Sequence, residues 1–284
     1  MHLEQATRKE TKMRLALMGL SGTGKTYSAL LLAYGLCGDW SKIAVIDTEA
    51  QSASLYSHLG PFSTLQLGPP YTPSRYFEAL DLCQDSDMEV VIIDSLSPEW
   101  AGEGGVLEGS NGSDYQELFR DHRLLFSQIS RSTCHVICTI RTKRRIVCEE
   151  LSGKRHPRLV QLPIQQEGVE YPFTTVLQLE SKYRAQVIKD RSGILAGKEP
   201  FVLEPEIGGW LYRWCNKVPA ISPELQQQID ACQSTGELHR LLFDEGIEDV
   251  ELISAFTKRR LELEGILTPE VPNAGTTENH LHIV

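Results

Sequence analysis

Short apolar runs recur along the first half of the chain. Residues 14–19, 42–47, 88–94 and 134–140 are nearly continuous apolar segments, and residues 62–67 form a weaker one. Continuous apolar runs of this length are typical of strands that are buried on both faces of a parallel sheet. The pattern therefore predicts a mostly parallel sheet.

The segments between these runs have the character of helices. Residues 25–36 follow a glycine-rich turn, and residues 72–83 begin with a threonine cap followed by proline at the first helical position. Residues 114–130 form a third helix-like segment, after a Gly/Ser-rich stretch at 97–113 that we expect to be a loop. Strands that alternate with helices predict an α/β fold in which helices flank the sheet.

The pattern changes toward the carboxyl end of the chain. Residues 173–179, 185–189 and 201–204 are short strand-like runs without helices between them, which predicts antiparallel strands at one edge of the sheet. Helix starts then follow at Ser222 and at Ser234, where the spacing to Glu237 is that of a capping box, and a third helix covers about 249–264. We expect an N-terminal tail at 1–12, a core at 13–218, a small helical appendage at 219–267 and a disordered polar tail at 268–284.

Composition narrows the class of protein. The chain has 284 residues, of which 41% are hydrophobic and 23% charged, as in ordinary globular proteins. It contains no run of about 20 apolar residues, so we expect no membrane span. The polar N-terminus lacks the apolar core of a signal peptide, which predicts a cytoplasmic location. The seven cysteines include no CxxC pair and predict neither a disulfide framework nor a zinc site.

Charge is unevenly distributed along the chain. The net charge is −10, which disfavours non-specific binding to nucleic acid. Between Arg141 and Arg158, however, seven basic residues and two acidic ones give a local net charge of +5. This basic segment is a candidate anion-binding loop, and the alternative is a solvated surface without a ligand.

The most specific motif lies between the first predicted strand and the first predicted helix. Residues 19–26, GLSGTGKT, match the phosphate-binding pattern GxxxxGK[ST], known as the P-loop. Its glycines let backbone N–H groups wrap around phosphates, and the helix that follows points its positive end at them. The motif predicts ATP and Mg2+ as ligands. The residues predicted to contact the nucleotide here are Gly19, Leu20, Ser21, Gly22, Thr23, Gly24, Lys25, Thr26 and Tyr27.

Three of the side chains near the motif have distinct predicted roles. Lys25 is expected to reach the β- and γ-phosphates, and the Thr26 hydroxyl is expected to ligate Mg2+. Asp94 closes a neighbouring predicted strand and is expected to hold Mg2+ through its water shell. Hydrolysis further needs a group that activates water. Ser95 follows Asp94, so the catalytic glutamate that the AAA+ branch carries at this position is missing.

A glutamate is available after the second predicted strand. The segment Ile46-Asp-Thr-Glu49 resembles the I-D-x-E segment of RecA-like recombinases, and this resemblance implies that Glu49 activates the attacking water. The same similarity implies that Tyr56 stacks on adenine, with core packing as the alternative. Thr139 stands where RecA-like proteins usually carry a glutamine that senses the γ-phosphate, and its side chain is shorter.

A second segment resembles the K-x-R-x-G motif of hexameric RecA-like helicases and archaeal RadA proteins. It implies that Lys189 and Arg191 reach the γ-phosphate bound by a neighbouring subunit in a ring or filament. Over residues 13–215 the chain most resembles phage- and prophage-encoded RecA-like ATPases of the AAA family that are related to Sak-type single-strand annealing proteins. This resemblance implies a role in phage DNA recombination or annealing, with phage replication or recombination proteins as partners. The segments that carry it are 19–26, 46–56, 92–100, 166–173 and 189–193.

RecA-like proteins hold single-stranded DNA with the loops after the third and fourth core strands. The matching segments here are 97–113 and 141–158, and the second is basic, as phosphate neutralisation requires. The residues predicted to contact DNA are Trp100, Arg141, Lys143, Arg144, Arg145, Lys154, Arg155 and Arg158. Two alternatives remain open: a nucleotide-gated loader or scaffold for replication proteins, and a P-loop kinase whose lid is the basic segment.

Overall fold

The structure is a computed structural model, and it describes residues 11–111, 115–151, 154–216, 223–244 and 250–265. It divides into two compact units, with the boundary between Lys217 and Val218. Residues 1–10 of the predicted N-terminal tail and the whole predicted tail at 268–284 lie outside the described residues.

The first unit is built on one nine-stranded sheet. Its strands are β1 (Arg14–Gly19), β2 (Ile43–Asp47), β3 (Ser63–Gln66), β4 (Val90–Asp94), β5 (His135–Leu151), β6 (Lys154–Pro163), β7 (Thr175–Leu179), β8 (Arg184–Asp190) and β9 (Phe201–Val202). The order β3-β2-β4-β5-β1-β7 is parallel throughout, and β8 and β9 extend it as antiparallel edge strands. Strand β1, which leads into the P-loop, is therefore central.

Helices cover both faces of this sheet. They are α1 (Lys25–Cys37), α2 (Pro73–Asp85), α3 (Ser97–Ala101), α4 (Tyr115–Arg131) and α5 (Pro205–Asn216). Leu15 and Leu17 of β1 are buried in one core, with residues of α1 and α5. Ala16 and Met18 are buried in the other core, with residues of α2 and α4. Successive side chains of a strand point to opposite faces, so a strand covered on both faces must be apolar throughout. The predicted fold class, an α/β core with a mostly parallel sheet flanked by helices and antiparallel edge strands, is confirmed.

The basic segment differs from the prediction. Strand β5 continues past the sheet, and residues 142–151 pair with β6 as a two-stranded antiparallel ribbon. The expectation of a loop at 141–158 was therefore wrong. The ribbon alternates its side chains between two faces, so Arg144 and its partner Gln161 share one face, while Lys143 and Arg145 lie on the other.

Two helices were not predicted. Helix α3 occupies the start of the segment 97–113, where we expected a loop. Helix α5 packs closely on α1. Their backbones are so near that a Cβ atom on Gly35 would lie 1.9 Å from the carbonyl oxygen of Pro205. A Cβ atom on Gly208 would lie 2.4 Å from the carbonyl oxygen of Leu32. These two glycines let the helix backbones meet.

The second unit contains three described helices, α6 (Pro223–Ala231), α7 (Thr235–Asp244) and α8 (Val250–Leu263). Ile229, Cys232, Leu238 and Phe256 form a small buried core of their own in this unit. The Glu237 carboxylate accepts a hydrogen bond from the backbone N–H of Gln233, close to the predicted helix start. Within the described ranges, no helix has both the length and the apolar character that a membrane crossing requires.

Candidate nucleotide-binding and catalytic site

The P-loop lies at the carboxyl end of β1, at the same edge of the sheet as the polar ends of β2 and β4. In the sheet, Gly19 pairs with Arg141 of the adjacent strand β5, and Asp47 of β2 pairs with Asp94 of β4. All these strands are parallel, so their carboxyl ends meet at one edge of the sheet. Ligands of open α/β sheets bind at this edge.

The P-loop has the backbone conformation that its glycines allow. Gly22 and Gly24 have φ angles of 79° and 85°, in the left-handed region that side chains disfavour. Helix α1 begins directly after them, at Lys25. A glycine-rich turn at a helix N-terminus exposes backbone N–H groups to an anion. The arrangement fits a bound phosphate.

Lys25 supplies a buried cation at this turn. The side chain is 9% exposed, and its amine donates a hydrogen bond of 2.9 Å to the carbonyl oxygen of Leu20. Burial lowers the pKa of Lys25, while the nearby carboxylates of Asp94 and Glu49 act in the opposite direction. An ammonium group has three N–H donors, so two remain for phosphate oxygens.

Asp94 is the centre of a small hydroxyl–carboxylate cluster. The carboxyl group is buried, and its Oδ2 atom accepts a hydrogen bond of 2.7 Å from Thr26, while Oδ1 accepts one of 2.5 Å from Thr139. Burial raises the pKa of Asp94, and the two hydroxyl donors partly offset this. Carboxylate and hydroxyl oxygens are the hard donors that Mg2+ prefers. Thr26 and Asp94 therefore fit a magnesium ion.

Glu49 follows β2 in a turn held by Asp47. The buried Asp47 carboxylate accepts hydrogen bonds from the backbone N–H groups of Glu49 and Ala53, at 2.7 and 3.0 Å. The Glu49 side chain is 31% exposed, and its Oε1 atom lies 2.7 Å from both Nε and Nη2 of Arg141. The structure thus joins the predicted catalytic glutamate to a residue predicted to bind DNA.

Three tyrosines surround the start of α1. The rings of Tyr27 and Tyr56 lie 5.9 Å apart between centroids, which brings the predicted adenine-stacking residue to the P-loop helix. Tyr183, which the sequence analysis missed, covers Gly24 so closely that a Cβ atom there would lie 2.4 Å from its ring. Tyr183 has a positive φ of 58° after Lys182 at 63°, a backbone signal that only the structure shows.

A pocket of about 520 Å³ opens beside the tip of the P-loop. Its walls include Tyr183, Gln161 and Arg144, together with P-loop residues 20–23. Arg144 was predicted to contact DNA, but the structure places it on the ribbon face next to the phosphate-binding turn. The other basic residues with described side chains, Lys143, Arg145 and Arg158, are exposed along the ribbon.

Lys189 and Arg191 lie away from the P-loop of their own chain. In the sheet, Asp190 pairs with Thr175 of β7, and Thr175 pairs with Leu15 near the beginning of β1. Leu15 is four residues from Gly19, which is roughly 13 Å along the strand. Lys189 donates to the carbonyl oxygens of residues 170 and 171 at 2.6 and 3.0 Å, and Arg191 donates to that of residue 171 at 3.2 Å.

Trp100 is half-buried and lies beside a buried polar network. Its ring centroid lies 5.3 Å from that of His122. The two ring nitrogens of His122 lie 2.7 Å from Oε1 of Glu99 and 2.7 Å from Oε1 of Gln166, and Glu99 is fully buried. These hydrogen bonds connect Glu99 of α3 to His122 of α4, and His122 to Gln166 in the segment after the ribbon. Trp100 thus makes a packing contact with His122, and its contact with DNA stays a prediction.

The fold and the P-loop geometry define a P-loop ATPase domain with a nucleotide site at the carboxyl edge of its sheet. The chain belongs to the AAA domain family, whose profile matches residues 11–200. None of the curated proteins matches the chain.

Two solved structures illustrate the similarity of fold. A KaiC-like protein from the hyperthermophilic archaeon Pyrococcus horikoshii OT3 is 16% identical, with a TM-score of 0.40, and the match covers 70% of this chain and 88% of that one. The flagellar accessory protein FlaH from Methanocaldococcus jannaschii is also 16% identical, with a TM-score of 0.43, and that match covers 70% and 89%.

Proposed function

We propose that this protein hydrolyses ATP with Mg2+ and binds single-stranded DNA in phage recombination or annealing, as a homo-oligomeric ring or filament. The resemblance to phage and prophage relatives of Sak-type annealing proteins supplies the biological role. The feature that supports DNA binding best is the basic ribbon, because it continues strand β5 directly out of the nucleotide site.

The ATPase half of the proposal assigns one task to each polar group. Lys25 and the P-loop N–H groups bind the phosphates and neutralise the charge that builds up during phosphoryl transfer. Thr26 and Asp94 hold Mg2+, which supplies further charge stabilisation when it is bound. Glu49 orients and deprotonates the attacking water through its partly exposed carboxylate. Among the described residues, no group donates to its second oxygen, Oε2, which leaves that atom for the water.

The DNA-binding half depends on charge and exposure along the ribbon. Lys143 and Arg145 lie on one face of β5, and Arg158 lies opposite Val147 on the same face of the ribbon. All three side chains are exposed. An exposed row of cations on a protruding ribbon can follow a nucleic-acid backbone, whose phosphates release counterions when they are neutralised.

A triple variant tests this assignment. Lys143→Gln, Arg145→Gln and Arg158→Gln together remove three charges from one face of the ribbon. The matched control removes three exposed charges from helix α4, through Arg120→Gln, Arg123→Gln and Arg131→Gln. Binding of a fluorescent oligodeoxythymidine is measured by anisotropy at several salt concentrations. For single strands, the slope of log affinity against log salt should fall by about 0.7 per lost phosphate contact, or about 2 in total.

The control variant should bind like the wild type apart from a small non-specific loss. If the wild type binds the oligonucleotide without any salt dependence, or does not bind it, the DNA-binding half of the proposal is wrong. In that case a loader or scaffold that acts through the helical appendage becomes the better account.

One observation favours the kinase alternative. Arg144 and Gln161 of the ribbon line the pocket beside the P-loop tip, as residues of a phosphate-binding lid would. A kinase transfers the γ-phosphoryl group to an acceptor and releases little free phosphate. Phosphate release to water by the purified protein, without any added acceptor, would therefore exclude this alternative.

A further inference from the structure

The ion pair between Arg141 and Glu49 lies within the predicted phosphate site. Both residues influence the pKa of Lys25: Glu49 raises the pKa of the Lys25 amine, and Arg141 lowers it. Asp94 raises this pKa as well. Two cations and two anions are thus grouped where a γ-phosphate is expected, and the arrival of a phosphate must change how they are paired.

Thr139 is already engaged by another group. Its hydroxyl donates to Oδ1 of Asp94, and a hydroxyl has only one O–H donor. While this bond exists, Thr139 has no donor for a γ-phosphate oxygen. Arg141 lies two residues further along β5, and side chains two residues apart in a strand share one face. Its guanidinium carries five N–H donors in a planar fork that matches a phosphate group.

We propose that Arg141 is the γ-phosphate sensor of this protein, and that its guanidinium moves from Glu49 to the γ-phosphate when ATP binds. This inference rests on the proposed ATP site. The exchange frees Glu49 to orient water only when ATP is present. ADP offers no γ-phosphate, so the Arg141–Glu49 pair persists with ADP and holds the glutamate in its resting position.

The backbone of Arg141 connects this exchange to both segments predicted to contact DNA. Its N–H donates to the Ser97 hydroxyl at 2.9 Å, at the start of helix α3. Its carbonyl oxygen accepts a hydrogen bond of 2.7 Å from the backbone N–H of Ile164, directly after β6. A shift of the Arg141 backbone would therefore reach both strands at the base of the ribbon and α3.

Equilibrium binding of a non-hydrolysable ATP analogue and of ADP, both with Mg2+ and without DNA, tests the sensor. Wild type, Arg141→Ala and Arg141→Lys are compared with Arg120→Ala, an exposed arginine of helix α4 whose ion pairs are with Glu117 and Asp121. Loss of a charge-assisted contact to the γ-phosphate should reduce the preference for the analogue over ADP by about 10- to 100-fold in Arg141→Ala. ADP affinity should stay within about twofold, which also shows that the variant is folded.

Arg141→Lys keeps a positive charge and should retain part of the preference, and Arg120→Ala should retain all of it. Tryptic cleavage at the ribbon gives a second readout, because the analogue should change the cleavage rate of the wild type and of Arg120→Ala but not of Arg141→Ala. An unchanged preference in Arg141→Ala, or its loss in Thr139→Val instead, overturns the sensor and leaves the ATP site intact. If the wild type binds neither nucleotide, the ATP site and the sensor are both wrong.

Discussion

The hydroxyl of Thr26 lies 2.7 Å from Oδ2 of Asp94, so the first turn of helix α1 is bonded to the end of strand β4. The two residues are 68 positions apart in the chain. Their contact brings the two predicted magnesium ligands together before any nucleotide is considered. The predicted ATP site is therefore preorganised by the fold.

Replacing the hydroxyl tests the magnesium assignment. Thr26→Val keeps the shape of the side chain and removes the oxygen, whereas Thr26→Ser keeps the oxygen and serves as the control. We expect Mg2+ to strengthen ATP binding in the wild type and in Thr26→Ser. In Thr26→Val the apparent Mg2+ affinity should fall about 10-fold or more, as expected for the loss of a group at a metal site. Titration of Mg2+ at fixed ATP measures this, and an unchanged curve for Thr26→Val would remove Thr26 from the metal site.

Glu49→Gln should separate binding from hydrolysis. The amide keeps the size of the side chain but cannot accept a proton, so we expect ATP affinity to stay within a few-fold and turnover to fall about 100-fold or more. Glu78→Gln on helix α2 removes an exposed carboxylate that is not among the predicted site residues and should hydrolyse ATP normally. Steady-state phosphate release measures both variants. Normal turnover in Glu49→Gln would mean that another group activates the water.

Lys189 and Arg191 are predicted to act on the nucleotide of a neighbouring subunit. They lie near the amino end of β1, away from the P-loop of their own chain. Arg191→Ala should bind ATP almost normally and hydrolyse it slowly, while Lys25→Ala should bind ATP very weakly. An equal mixture should recover activity, because the intact P-loop of one variant can face the intact arginine of the other.

The mixture is assayed for phosphate release at a concentration where subunits associate. Co-assembly is verified by size-exclusion chromatography with differently labelled subunits. Activity above the sum of the separate variants supports action between subunits. If verified co-assemblies show no such gain, Arg191 does not act in trans.

Acid should destabilise the protein through His135. Burial, with Lys12 and Arg14 nearby, lowers the pKa of His135 to about 3, and its Nδ1 atom accepts a hydrogen bond of 2.9 Å from the backbone N–H of Met13. The unfolded ring has a pKa of about 6.5, so between about pH 6.5 and pH 3 only the unfolded state binds the proton. The stabilisation is complete above pH 6.5 and is lost as the pH falls toward 3.

His135→Asn keeps an acceptor near Met13 but does not titrate in this range. Between pH 7 and pH 5.5 the wild type should lose about 1 kcal/mol more unfolding free energy than the variant. Urea unfolding at the two pH values measures this difference. Equal losses in both proteins would show that His135 is not a buried neutral group.

The sequence predicted those parts of the structure that are determined by residues close together in the chain. The P-loop follows from a contiguous motif, and the buried strands follow from continuous apolar runs. Helix α5 was missed because Pro205 and the pair Gly208-Gly209 resemble breakers, although the buried residues Ile207, Leu211 and Cys215 recur every four positions. Gly208 is needed by the contact with α1, which a local pattern does not show.

Some contacts within the site also join residues that are far apart in the chain, and these could not be predicted from the sequence. Glu49 and Arg141 are 92 residues apart, and their contact depends on which strands lie near each other in the sheet. The basic ribbon was taken for a loop because its cations interrupt the apolar pattern of β5, while the pairing with β6 supplies the missing support. Tyr183 reaches Gly24 only through the turn between β7 and β8.

The most direct test of the account is ATP hydrolysis by the wild-type protein measured with and without single-stranded DNA. We predict Mg2+-dependent phosphate release that rises when an oligodeoxythymidine is added, because the proposed DNA-binding ribbon is connected to Arg141, which pairs with Glu49. Lys25→Ala, which lacks the fixed cation of the P-loop, should abolish both the basal and the stimulated rates. A wild-type protein that releases no phosphate under either condition, or whose rate is the same with and without bound DNA, would contradict the account.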